Sequence, residues 1–124
     1  MIRIVGIERN PDPAREFILL QNQGNLRQVL RGYAVVPDAL CDALPGRTAM
    51  HIFADEVPVA PGVFIMLRTG SGQARWTQTR DGARVYNVYM ERTEPVWNTV
   101  QGPIHVLCVQ HTYVERTTPA LTLR

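Results

Sequence analysis

The chain has 124 residues, 45% of them hydrophobic and 19% charged, enough apolar material for one packed core without disulfide or metal staples. Its formal net charge of +2 does not by itself point to nucleic acid, whose strong binders carry a basic stripe and a domain pI above about 9. The longest apolar runs are four or five residues, too short for a membrane span, and two cysteines, Cys41 and Cys108, are too few for a disulfide framework and read as one bridge or two quiet thiols.

In chain order the sequence is a series of short β-branched or aromatic runs punctuated by Gly, Pro, Asn and Asp. Met1-Ile2-Arg3-Ile4-Val5 enters strand-like sequence without an apolar signal segment or cleavage site, so the expectation is a soluble cytoplasmic chain, or a domain cut from a longer or secreted protein. Residues 2–7 form the first predicted strand, closed by Asn10-Pro11-Asp12-Pro13. Residues 16–22 form the second, closed by Gln23-Gly24-Asn25, and residues 30–36 the third, ending before Pro37. A short fourth spans 48–53, and the fifth, 63–69, follows Pro61-Gly62. The sixth, 84–90, is entered from Asp81-Gly82; the seventh is 104–110, and 112–116 is an eighth or its continuation. No window of helical length keeps an apolar stripe free of Gly or Pro, and only residues 38–44 suit a single helical turn. Seven to eight strands at this spacing predict one all-β antiparallel sandwich over residues 1–124. The runs Phe17-Ile18-Leu19-Leu20 and Ile104-His105-Val106-Leu107, apolar on both faces, predict central strands or a face covered by a loop.

Several punctuation points fall in a recognisable order. Glu16-Phe17-Ile18-x-Leu20-x-Asn22 followed by Gly24, then Leu30-x-Gly32-Tyr33-x-Val35, then Pro61-Gly62 with the Thr69-Gly70-Ser71-Gly72 turn, then Val96-Trp97-Asn98 before Gly102, together resemble the lamin-tail domain. This is the immunoglobulin-like module at the C-terminus of nuclear lamins, also found in bacterial proteins. The likeness runs from about Ile4 to Tyr113 and departs from the family at Pro103, where Asp is usual, and in a long stretch over 77–94. It implies an immunoglobulin-like sandwich that binds or scaffolds: members act in assembly, in protein and DNA contact, or beside bacterial hydrolases. It also implies that Leu107 is a core residue.

The same markers have physical readings of their own. Gly32 in a strand admits a close neighbour, and Asn22 and Gly24 supply turn and positive-φ positions. Glu16, if turned inward, caps loop amides. Trp97 plugs one end of the sandwich, its indole N–H finding a carbonyl.

Residues for chemistry are scattered. His51, His105 and His111 lack ligand spacing, and the last two, on one extended strand, stand about 20 Å apart. Gly70-Ser71-Gly72 lacks the flanks of a nucleophile elbow, Asp55 and Glu56 point apart on an extended chain, and nothing beside Cys41 is placed to activate it. No catalytic residue, metal or cofactor is therefore expected.

One cluster stands out. Arg68, Arg75, Arg80, Arg84 and Arg92 fall in a segment whose only acids are Asp81 and Glu91, interleaved with Trp76, Tyr86 and Tyr89. On a hairpin ribbon, several guanidiniums and an aromatic would share one exposed face, suited to phosphates, bases or acidic protein surfaces; a solvated edge whose arginines block aggregation is the plainer reading. The expected function is a non-catalytic module recognising a protein partner through loops or an edge strand. The alternatives are nucleic-acid or acidic-surface binding through 68–92, and homodimerisation by edge-strand pairing.

Overall fold

Strand β2 (Phe17–Asn22) shows how the sequence becomes sheet. Ile18, Leu20 and Asn22 are buried on one face, and Phe17, Leu19 and Gln21 are half-buried on the other, the two-residue period of a pleated strand. It pairs antiparallel with β1 (Ile2–Glu8) on one side and with β7 (Phe64–Arg68) on the other. The computed structural model describes residues 1–38, 49–100 and 102–108. Within them lie β3 (Gln28–Val29), β4 (Tyr33–Pro37), β5 (His51–Ile52), β6 (Pro58–Val59), β8 (Arg75–Gln78), β9 (Arg84–Tyr89) and β10 (Ile104–Cys108). A 3-10 turn spans Trp97–Thr99.

The fold is an all-β sandwich. Its sheets have the orders β1-β2-β7-β9-β8, β10-β4-β5 and β3-β6. Ile2, Ile18, Leu20, Ile65, Leu67, Tyr86 and Val88 from the five-stranded sheet meet Tyr33, Val35 and Val59 from the other two, with Leu30, Phe53, Val63, Val96 and Trp97 contributed by connections. No described helix is long and apolar enough to cross a membrane.

Four expectations change. Ten strands are present among the described residues rather than seven to eight: the short fourth run, 48–53, forms β5, while the two-residue ladders β3 and β6 are too short to leave a periodic signal and β8 has no buried residue. One pair, β7 with β9, is parallel: the chain leaves β7, lays down β8 at the edge and returns by a hairpin, so β9 enters between them. Among the described strands, β10 lies at the edge of its sheet rather than at its centre. Leu107 lies on the outer face of β10, opposite Ala34, and is 48% exposed, whereas Val106, opposite Val35, packs on the core. The predicted 112–116 strand, residues 39–44 of the predicted 38–44 turn, residues 109–110 of the 104–110 run, Thr48, Cys41, His111 and Tyr113 lie outside the described residues.

Candidate functional site

The motif residues of the sequence organise the core. Glu16, fully buried, accepts hydrogen bonds at Oε1 from Thr69 Oγ1 (2.7 Å), Val96 N (2.7 Å) and Trp97 N (3.0 Å), and at Oε2 from Asn98 N (2.8 Å) and Asn10 N (3.5 Å). A carboxylate, which only accepts, matches five converging donors. Asn22, also buried, donates to Leu26 O (3.0 Å) and Val59 O (2.9 Å) and accepts from Gly24 N (3.0 Å). Gly24 is needed for close approach rather than for positive φ, since a Cβ there would lie 2.6 Å from Met1 N. Gly32 has φ of 96° and sits in the turn before β4, where Tyr33 N donates to Leu30 O (3.1 Å), rather than inside a strand. Gly62 and Gly102 also take positive φ, at 85° and 90°. Trp97 is fully buried, yet its Nε1 meets no acceptor among the described residues. Its backbone is fixed instead, the N–H by Glu16 and the carbonyl by Arg9 Nε (3.2 Å), so the indole is placed by packing.

The titratable groups do not converge. Among the described residues no three His, Cys, Asp or Glu lie together within reach of one metal ion. His105 Nε2 lies 2.7 Å from Asp38 on the exposed face of β10. Cys108 is an exposed free thiol. Asp55 accepts from Tyr86 Oη (2.8 Å) while Glu56 pairs with Arg31, so the adjacent carboxylates diverge. Burial, then the bond to Asp55, pushes Tyr86 up to about 12.

His51 faces the core opposite Val35, with its ring 4.8 Å from that of Phe53 and its buried Nε2 without a partner among the described residues. Burial pulls its pKa below the usual 6.5; Asp55 opposes this and Arg92 adds to it. A depressed folded-state pKa gives stability that is complete above the unfolded value and is lost as pH falls through the folded one. The urea midpoint is therefore expected to fall on going from about pH 7.5 to about pH 5.5, and His51→Leu to remove part of that fall. An unchanged slope in the variant would show that other groups carry it.

The arginine-rich segment forms a hairpin. Thr79 N donates to Ala83 O (2.9 Å), Gly82 N to Thr79 O (3.1 Å), and Gly82 has φ of 86°, a three-residue loop closed by a glycine bulge. The Asp81-Gly82 turn and the ribbon reading of 68–92 point to this hairpin, but hydrophobic periodicity predicts no strand at β8 because all four of its residues are exposed. The guanidiniums do not share one face. Arg75 stands opposite Asn87 on the outer face of the five-stranded sheet. Arg68, on the same face, binds Asn87 Oδ1 through Nε at 3.3 Å, and Asn87 in turn donates to Thr77 Oγ1 (2.9 Å). Arg84 lies on the opposite face, 4.1 Å over the Trp76 ring, which leans on Tyr86 at 5.0 Å. Arg80 is in the exposed turn, and Arg92 follows β9 beyond the hairpin, close enough to act on His51.

Of the described strands only β8 has every residue exposed. It is also a sheet edge, whereas the other edge, β1, runs close to β10. Residues 75–84 hold three arginines against one aspartate, a local excess equal to the whole chain's +2. A shallow cleft at the start of β8 is lined by Gly72, Gln73, Ala74, Arg75 and Tyr89. Comparison with protein-family models, with curated proteins and with solved structures finds no match for this chain.

Proposed function

We propose that this protein is a non-catalytic binding module of the lamin-tail type that takes up an extended, acidic segment of a partner protein along the edge of β8. The observation that carries the reading is an exposed edge strand inside a stretch with a local excess of arginine. An open edge offers main-chain donors and acceptors to an added strand, and flanking side chains select it. The family likeness in Glu16, Asn22, Trp97 and Asn98 supports the scaffold, since these residues anchor loops through buried hydrogen bonds. Self-pairing of β8 is disfavoured by the arginines it would bring against their own copies.

Amide exchange during titration with short Glu-rich peptides tests this. The amides of Trp76 and Gln78 are expected to become protected, and Gln78→Pro, which removes a donor at an edge that tolerates proline, to abolish binding with the fold intact. Binding that protects neither amide, or that survives the proline, refutes strand addition. Short duplex DNA is the competing ligand. Tight, steeply salt-dependent binding to it, with the peptides inert, would assign the hairpin to nucleic acid instead.

A further inference from the structure

The hairpin's hydrogen-bond phase determines which groups β8 presents. The Thr79 N to Ala83 O bond makes that pair a hydrogen-bonded one, and such pairs alternate along an antiparallel ladder. Thr77–Val85 and Arg75–Asn87 are then the next hydrogen-bonded pairs, and Trp76–Tyr86 and Gln78–Arg84 are not. The N–H and C=O groups of Trp76 and Gln78 consequently point away from β9 into solvent. A strand added there places side chains alternately on the two faces. Those opposite Trp76 and Gln78 join the face on which Arg84 stacks over Trp76; those opposite Arg75 and Thr77 join the outer face, where Arg75 stands. Neither guanidinium has a carboxylate partner among the described residues.

We infer that the segment recognised by β8 carries two carboxylates an odd number of residues apart, one for Arg84 on the inner face and one for Arg75 on the outer. The inference rests on the strand-addition reading and adds its specificity rule. Two acids at even spacing fall on one face and meet only one of the two guanidiniums. This geometry also separates a peptide from a nucleic acid: a phosphate backbone lying against one face of the ribbon cannot reach both arginines, whereas an added strand reaches both.

The test uses short peptides of identical composition with two glutamates adjacent, three apart or two apart, titrated by tryptophan emission and by exchange of the Trp76 and Gln78 amides. The adjacent and three-apart peptides are expected to bind about fivefold tighter than the two-apart peptide, the size of one good exposed ion pair. Arg75→Gln, a change at an exposed side chain, is expected to erase that difference while leaving amide protection in place. Equal affinities with both amides protected overturn the spacing rule and leave strand addition standing. Absence of protection with every peptide overturns both, as does preferential binding of a short DNA duplex.

Discussion

Glu16→Gln is expected to lower the unfolding free energy by about 3 kcal/mol, measured by urea denaturation. The carboxylate receives three donors at Oε1 and two at Oε2. An amide keeps one oxygen and turns an N–H2 toward the other set. With the oxygen kept for Thr69, Val96 and Trp97, the new donors confront Asn98 N, which sits 2.8 Å from Oε2, and Asn10 N. Each hydrogen bond lost from an ionised acceptor is worth about 1.5–3 kcal/mol. Glu16→Ala orphans all five donors and is expected to cost about 5 kcal/mol, a large share of the stability of an ordinary domain. Thr69→Val, which removes one donor, should cost about 1.5–3 kcal/mol. A Gln variant within about 0.5 kcal/mol of the native chain would show that the polar cluster is not a principal anchor.

Trp97→Ala is expected to destabilise by about 3–5 kcal/mol, through lost burial and the cavity left behind. Trp97 is the largest fully buried side chain, and it lies in the same cluster as Leu20, Leu67 and Val96. Because the 3-10 turn around it is pinned by Glu16 and Arg9, the backbone has little freedom to collapse into the void, which favours the upper part of that range. Trp97→Phe separates packing from the unpaired indole N–H. It keeps most of the ring and removes a buried donor that has no acceptor among the described residues, so it should cost about 1–2 kcal/mol, well below the alanine variant. Equal losses for Phe and Ala would show that the indole N–H makes a bond as important as the packing of its ring.

Much of the fold was legible because burial imposes a period on the sequence. β1, β2, β7 and β9 alternate apolar and polar residues or are rich in β-branched and aromatic side chains, and their ends carry Pro, Gly and Asn. The short ladders β3 and β6 were not legible. A two-residue pairing has no period, and its partners, Gln28–Val29 and Pro58–Val59, are about thirty residues apart in the chain. Leu107 was misplaced because a strand's facing is set by its register with β4, which the local sequence does not encode.

The candidate site divides in the same way. Sequence alone placed an excess of arginine and an exposed aromatic in residues 68–92, because charge and composition are properties of the chain. Only the tertiary structure decided that Arg75 and Arg84 stand on opposite faces, that Trp76 is held between Arg84 and Tyr86, and that β8 rather than β1 is the open edge. Facing depends on hairpin register and openness on which strand packs nearby, and both are fixed by contacts between residues distant in the chain. The all-β sandwich was therefore written in local periodicity, and the edge it leaves open was written in its long-range pairing.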